Sequence, residues 1–248
     1  MSNLNVEELV NFYLDCPGAL ESLGDIYEKA GRFCEANQVK QSVSLHSDLD
    51  SCSSTLLIVF ASRNDDPRQI PFQFRKSLSQ VDVKKMFIRD VHDAWYHKGL
   101  KNIVGSVEGV ASYLKKQVEQ TNPKKLITLG ASSGGYAALL FGFLLNADKT
   151  IAFSPQTKLP RPEPFLDRKL LVGCDSRYFD LLELEWGKSK TTCDIHYSAN
   201  FNSDRDAAIR MNKLNNFKLF SYQAGELHNI AKWLKTQGKL ESILLEVR

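Results

Sequence analysis

Six small residues at positions 130–135 stand between two apolar stretches of this chain. They read Gly-Ala-Ser-Ser-Gly-Gly, so Ser132 has a glycine two positions before it and another two positions after it. A serine on a tight turn between a buried strand and a helix has its hydroxyl exposed, and small neighbours let the helix approach the sheet. Ser133 is polar as well, but the spacing of the glycines places Ser132 at the apex of the turn. Ser132 is therefore the predicted nucleophile of an acyl-transfer reaction.

The segments around this turn alternate between strand-like and helix-like patterns from residue 54 onward. Strands are predicted at residues 56–60, 85–89, 126–129, 150–153, 194–197 and 218–222. Helices are predicted at residues 103–117, 136–145 and 205–214, and a last one begins at residue 230. Continuous apolar runs such as residues 56–60 are typical of parallel strands covered on both faces. We therefore expect an α/β fold with a mostly parallel sheet flanked by helices.

The overall composition is that of an ordinary globular protein and argues against several other classes. The chain has 248 residues, 43% of them hydrophobic, and a formal net charge of +3, which is too small to indicate a nucleic-acid partner. Its five cysteines are scattered and indicate neither a zinc site nor a disulfide framework. The first residues do not resemble a secretory signal, and no apolar run is long enough to span a bilayer. We expect a cytoplasmic protein that binds no membrane and needs no cofactor.

The first 46 residues carry a different, helical pattern. Small and aromatic residues recur there with a spacing that resembles one tetratricopeptide repeat, namely Leu23, Gly24, Tyr27, Gly31, Phe33 and Ala36. One such unit cannot bury its own apolar face, so it must pack on the rest of the chain, on a second subunit or on a protein partner. A helical hairpin that only covers the sheet is the alternative. We predict a hairpin at residues 1–46 and a second domain at residues 47–248, with an insertion at about residues 156–192.

From about residue 55 to residue 234 the chain resembles the α/β-hydrolase superfamily. The resemblance is carried by the turn at residues 130–135 and by the segment at residues 193–233. In that superfamily a serine, an acid and a histidine follow one another in this order, with the acid after the penultimate strand and the histidine after the last strand. Asp204 and His228 occupy those two positions here.

The resemblance implies distinct roles for three side chains. His228 would take the proton of Ser132 during attack and return it to the leaving group, and the carboxylate of Asp204 would fix the tautomer of the imidazole. Asp175 and Asp206 are the alternative acids, because distance along the chain cannot establish a contact. The remaining histidines precede the serine or lie inside a predicted strand, and they are His46, His92, His97 and His196.

An acyl-transfer reaction also needs donors for the oxyanion of its tetrahedral intermediate. By resemblance these are backbone N–H groups, one of them from Ser133 and the other from the loop after Phe60. In that loop the second donor is either Ser62 or Arg63. The glycine-rich version of the loop that esterases of this superfamily carry is absent from the sequence, so the choice between the two residues stays open.

The loop after the strand at residues 85–89 combines aromatic and charged residues. Such a loop lies at the carboxyl edge of the sheet, where ligands bind in open α/β folds. Trp95 and Tyr96 have hydrogen-bonding tips that would suit a polar substrate such as a sugar; the alternative is that both rings only anchor the loop to the core. His92 and His97 and the nearby aspartates have the types of metal ligands, but an activated serine needs no metal, so no metal site is predicted.

The insertion at residues 156–192 would cover the site and select the substrate. Within it, residues 170–173 are predicted as a short strand and residues 177–186 as a helix. Its prolines and charges favour a polar or carrier-bound substrate over a lipid. We therefore expect a serine hydrolase, that is, an esterase, thioesterase or deacylase acting on a small-molecule, glycan-linked or carrier-linked acyl substrate. The alternatives are an acyltransferase that uses the same three residues, and a non-catalytic scaffold whose hairpin binds a partner.

Overall fold

The computed structural model of the protein describes residues 23, 26–27, 29–32, 43–63, 72–161 and 167–247. The predicted hairpin at residues 1–46, with its resemblance to a tetratricopeptide repeat, lies largely outside these residues and stays a prediction.

A single mixed sheet organises the described residues. Its strands are β1 (Leu45–Asp48), β2 (Thr55–Phe60), β3 (Lys84–Ile88), β4 (Lys125–Ala131), β5 (Lys149–Phe153), β6 (Thr192–Ser198) and β7 (Phe217–Tyr222). Their order across the sheet is β1-β3-β2-β4-β5-β6-β7. β2 through β7 pair in parallel, and β1 runs antiparallel to β3 at one edge. The expected mostly parallel sheet is confirmed.

Helices cover both faces of this sheet. They are α1 (Val107–Thr121), α2 (Ser133–Leu144), α3 (Asp167–Leu170), α4 (Asn202–Ile209), α5 (Ile230–Thr236) and α6 (Leu240–Leu245). All six residues of β2 are buried, and alternate ones face opposite sides. Leu56 and Ile58 pack in the same apolar cluster as α1 and α2. Leu57 and Val59 pack with α5 and α6. Double-sided cover explains why β2 is an almost continuous apolar run.

Three predicted boundaries differ from the structure for local reasons. Residues 170–173 form no strand, because α3 ends at Leu170 and a turn with Gly173 at φ +78° follows. Residues 177–186 form short 3₁₀ turns instead of a helix, because the carboxylates of Asp175 and Asp180 accept N–H groups two residues ahead. α1 begins only at Val107, where the Ser106 hydroxyl caps it.

The sheet also begins earlier than predicted. Leu45 and His46 fall within the predicted hairpin, yet they form the first half of β1 and pair with Ile88 and Phe87 of β3. No helix in the described ranges is long and apolar enough to cross a membrane.

Candidate active site

Ser132 lies at the turn between β4 and α2, in a backbone conformation that few residues other than glycine adopt. Its dihedral angles are φ 53° and ψ −121°. Two backbone hydrogen bonds hold it there, because its N–H donates to the carbonyl of Phe153 (2.8 Å) and its own carbonyl accepts the N–H of Tyr136 (3.0 Å). Strained backbone of this kind persists only where the surroundings over-determine it. The turn thus holds the Ser132 hydroxyl at the carboxyl edge of the sheet, close to its centre.

Two glycines of the turn let α2 pack directly against the strands. A Cβ atom on Gly130 would lie 2.1 Å from the carbonyl oxygen of Gly134, and one on Gly134 would lie 2.2 Å from the carbonyl oxygen of Phe60. No real Cβ contact is that short, so any other residue at either position would push the start of α2 away from β2 and β4. The glycine spacing noted in the sequence therefore has a steric cause.

Three of the predicted side chains form one continuous hydrogen-bonded series. Nε2 of His228 lies 2.8 Å from Oγ of Ser132. On the other side of the ring, Nδ1 lies 2.8 and 3.0 Å from the two carboxylate oxygens of Asp204. Because an ionised carboxylate only accepts hydrogen bonds, Nδ1 carries the ring proton and Nε2 is left to accept the serine hydroxyl. This is the arrangement that activates a serine.

The acid of this series is Asp204, and the two alternative acids lie elsewhere. Asp204 is buried in the first turn of α4, where the helix dipole favours a negative charge. Asp175 pairs with Arg177, and Asp206 contacts Arg205 at the surface. Only Asp204 contacts His228 among these three carboxylates.

His97 and His196 are buried in other parts of the fold. The ring of His196 stacks between those of Phe153 and Phe220, with centroids 5.0 and 4.7 Å away. Nε2 of His97 lies 2.8 Å from the hydroxyl of Tyr136. Burial lowers the pKa of each histidine to about 4. Both rings are therefore neutral parts of the core at neutral pH.

These two histidines should make the folded protein sensitive to mild acid. An unfolded histidine titrates near pH 6.5, so between pH 6.5 and pH 4 the unfolded chain binds more protons than the folded one. The contribution of these two histidines to the free energy of unfolding is therefore fully present above pH 6.5 and is lost as the pH falls towards 4. Each histidine is expected to remove on the order of 2 kcal/mol of unfolding free energy between pH 7 and pH 5. Urea unfolding at the two pH values measures this loss.

His97→Phe provides the control for that measurement. The variant keeps an aromatic ring beside Tyr136 but cannot titrate, so its loss of unfolding free energy between pH 7 and pH 5 should be smaller than the native loss. Between pH 8 and pH 7 the two proteins should show equally small changes. If both proteins lost the same unfolding free energy between pH 7 and pH 5, His97 would not contribute to the acid sensitivity.

The predicted oxyanion donors are only partly available. Ser133 opens α2, so its N–H belongs to the first helical turn, whose donors lack partners within the helix. The two candidates for the second donor are already engaged. The N–H of Ser62 donates to Oε1 of Gln73 (3.1 Å), and the N–H of Arg63 donates to Oγ of Ser133 (2.8 Å). A substrate oxygen could use either group only after displacing its present acceptor.

The structure places Tyr96 in the core, in agreement with the alternative that its ring anchors the loop. The carboxylate of Asp90 accepts backbone N–H groups from His92, Ala94 and Tyr96 at 2.7–2.9 Å, and this coils the loop inward. Tyr96 is fully buried as a result, with its hydroxyl 2.8 Å from the carbonyl oxygen of Ala61. Burial also raises the pKa of Asp90, against the opposing effect of these donors. Within the described part of the chain, no group of histidine, cysteine and acidic side chains could hold a metal ion.

Trp95 is also buried, and it contacts a residue that the sequence did not single out. Its indole N–H donates to Oε1 of Gln156 (3.1 Å), and Nε2 of the same glutamine lies 3.2 Å from Oγ of Ser132. Trp95 therefore faces the site through Gln156 and has only 3% of its surface exposed to any substrate. The available signal was position, since Gln156 is the third residue after β5 and so lies at the carboxyl edge of the sheet.

The protein has the α/β-hydrolase fold, which solved structures of several enzymes share. The capsule O-acetyltransferase of Neisseria meningitidis serogroup A matches with a TM-score of 0.60 at 17% identity, over 80% of this chain and 90% of that one. A mutant of that enzyme has been solved in complex with CoA. Carboxyl esterase 2 of Tuber melanosporum matches with a TM-score of 0.55 at 10% identity, over 82% and 80% of the two chains. MenH from S. aureus matches with a TM-score of 0.52 at 12% identity, over 82% and 97%.

At these identities the likeness concerns the fold. No protein-family model and no curated protein sequence matches the chain.

Proposed function

We propose that the protein is a serine hydrolase that transfers acyl groups through a covalent intermediate on Ser132. The observation that carries the proposal is the hydrogen-bonded series from Ser132 through His228 to Asp204. Its supports are the strained turn that presents the serine and the fold, which is shared with esterases and with an O-acetyltransferase. A scaffold would have no physical need to keep all three side chains in this register.

The reaction would proceed in two halves. In the first, Oγ of Ser132 bonds to the carbonyl carbon of the substrate while Nε2 of His228 takes the hydroxyl proton, and the carboxylate of Asp204 stabilises the imidazolium. The Ser133 N–H, at the positive end of α2, binds the oxyanion. The bond to the leaving group then breaks, and His228 returns the proton to that group. In the second half, water loses a proton to His228 and attacks the acyl carbon, which releases a carboxylic acid and restores Ser132.

The substrate we favour is a polar ester or thioester, on a small molecule, a glycan or a carrier. Polar side chains surround the nucleophile, since Gln156 contacts it directly and the base His228 is partly exposed. Arg161 adds a positive charge next to Trp95, since its guanidinium lies over the indole ring.

Transfer to a hydroxyl group in place of water is the second candidate function. The same three residues serve both reactions, and the difference is whether water or an acceptor reaches the acyl-enzyme. The likeness to the capsule O-acetyltransferase, and the CoA complex of its mutant, favour this candidate and suggest an acyl thioester as the donor. Incubation with acetyl-CoA, with and without a polyhydroxyl acceptor, separates the two: CoA release that the acceptor does not accelerate indicates hydrolysis, and an acetylated acceptor indicates transfer.

Labelling with a fluorophosphonate probe tests the activated serine. The probe forms a bond from phosphorus to Oγ and loses fluoride only if the serine is activated by a base. We expect the native protein to be labelled, and Ser132→Ala and His228→Ala to show no labelling. Ser112→Ala removes an exposed hydroxyl from α1 and serves as the matched control, with native labelling expected. A folded native protein that resists the probe would contradict the proposal and favour a scaffold whose hairpin binds a partner.

A further inference from the structure

The side-chain amide of Gln156 has only one orientation that its neighbours allow. The indole N–H of Trp95 can donate but not accept, so the oxygen of the amide must face Trp95 and the NH₂ group must face Ser132. Gln156 itself is buried, with 7% of its surface exposed. The active-site serine therefore receives a hydrogen bond from a donor whose direction is fixed by a second buried side chain.

A further layer of contacts holds Trp95 in place. The guanidinium of Arg161 lies over the indole ring, 5.5 Å from its centroid. Two parallel hydrogen bonds, of 2.8 and 2.9 Å, tie the same guanidinium to the carboxylate of Asp167, which is buried. Bidentate pairs of this kind restrict orientation as well as position. The amide of Gln156 is thus preorganised, which is the property that makes a donor effective towards a developing charge.

The second N–H of the Gln156 amide is what makes the arrangement useful. An amide NH₂ group has two donors. One points at Oγ of Ser132, and the other has no acceptor among the residues that the structure describes. The carbonyl oxygen of a substrate is two bonds away from Oγ once attack has occurred, so it would form beside this NH₂ group. The two candidates for the second backbone donor, Ser62 and Arg63, already donate to Gln73 and Ser133.

We propose that Gln156 is a catalytic residue that supplies a side-chain N–H to the oxyanion hole, opposite the backbone N–H of Ser133. The proposal rests on the acyl-transfer function proposed above. In the resting enzyme the amide donates to Oγ of Ser132, which leaves the serine proton directed at His228. As the tetrahedral intermediate forms, the second N–H of the amide binds the new oxyanion. Trp95 is a positioning residue in this scheme, since it acts through the amide of Gln156.

Two substitutions of Gln156 test the proposal with a chromogenic acetyl ester as the substrate. Gln156→Met removes both N–H donors at similar length, and Gln156→Glu keeps an acceptor for Trp95 but places a carboxylate beside the oxyanion. Each is expected to lower kcat by about 10²–10³-fold with KM changed little, because a ground-state carbonyl gains less from the donor than the oxyanion does. Gln120→Met, on the exposed face of α1, is the matched control and should keep the native kcat.

Trp95→Phe separates positioning from direct contact. This variant keeps an aromatic ring but loses the indole N–H, so the amide of Gln156 loses its fixed direction while its donors remain. We expect kcat to fall by up to about tenfold, less than in Gln156→Met. Because the contact of His228 with Asp204 is untouched and no ionisable group is added, the pH profile of kcat should keep its native shape in Trp95→Phe and Gln156→Met.

The outcomes distinguish this inference from the proposed function. Phosphonylation of the native enzyme together with native kcat in Gln156→Met would overturn the role of Gln156 and leave the acyl-enzyme standing. In that case the N–H of Ser62, released by movement of Gln73, becomes the second donor. Failure of the native protein to react with the probe would overturn both proposals. If Gln156→Met did not fold, as judged by its melting temperature, Gln156→Glu would carry the comparison.

Discussion

Asp204→Asn is expected to lower kcat for ester hydrolysis by about 10⁴-fold without unfolding the protein. The amide has the shape of the carboxylate, so it can remain beside His228 in the first turn of α4. Its NH₂ group, however, can donate to Nδ1 and would then hold the imidazole in the wrong tautomer, with the proton on Nε2. In the native structure Nε2 of His228 lies 2.8 Å from Oγ of Ser132. It must accept the serine proton for attack to occur, and it cannot do so when it already carries a proton.

The measurement is the steady-state rate together with the melting temperature of each variant. Asp206→Asn is the matched control, because the carboxylate of Asp206 is largely exposed and pairs with Arg205. We expect that variant to keep kcat within twofold of the native value. Native kcat in Asp204→Asn, or an equal loss in Asp206→Asn, would show that another residue is the acid.

Gly134→Ala is expected to lower the free energy of unfolding by about 3 kcal/mol and to abolish labelling of Ser132. The added Cβ would lie 2.2 Å from the carbonyl oxygen of Phe60 and 2.8 Å from the carbonyl carbon of Ala61. Neither atom is the end of a flexible side chain, so the start of α2 or the end of β2 must move. Either movement displaces the Ser132 turn and the loop at Ser62.

Gly187→Ala is the control for this substitution. Nothing lies within 4 Å of a Cβ added at Gly187, so this variant should unfold at close to the native urea concentration. Urea denaturation and fluorophosphonate labelling, measured on both variants, separate the effect of the crowded position from that of losing a glycine. Native stability in Gly134→Ala would mean that α2 does not pack on β2 as closely as described.

The inner part of the sheet could be predicted because its strands carry short runs of apolar residues, of which Leu56 to Phe60 in β2 is the longest. β2 and β4 lie under helices on both faces, and strands buried on both sides are mostly apolar. The edge strand β1 carries no such signal, since Leu45–Asp48 reads Leu-His-Ser-Asp. It becomes a strand because the open edge of β3 offers unpaired backbone groups to an extended segment. Strand formation at β1 therefore depends on β3, which lies some forty residues further along the chain.

The site divides in the same way. Ser132 could be predicted from the turn that carries it, and Asp204 and His228 from the resemblance to the α/β-hydrolase superfamily, in which the acid and the histidine follow the last two strands. The contact of Trp95 with Gln156 joins residues 61 apart on two loops that leave different strands. The conformation of such loops depends on local hydrogen bonds, here the three backbone N–H groups that donate to the carboxylate of Asp90. No pattern in the sequence reports that geometry, so the sequence does not distinguish a substrate contact of these two aromatic side chains from an anchor to the core.

The partial exposure of His228 would determine which nucleophile reacts with the proposed acyl-enzyme. In the structure 38% of its side chain remains accessible, so solvent reaches the imidazole that must deprotonate the second nucleophile. In the proposed mechanism, the acyl-enzyme then reacts either with water or with a hydroxyl-bearing acceptor bound over the imidazole ring. An acceptor that covers the imidazole shields the ester and receives the acyl group. If no acceptor is bound, the acyl group of the proposed intermediate is transferred to water. The residence time of the acceptor therefore decides whether the acylated acceptor or the free acid accumulates.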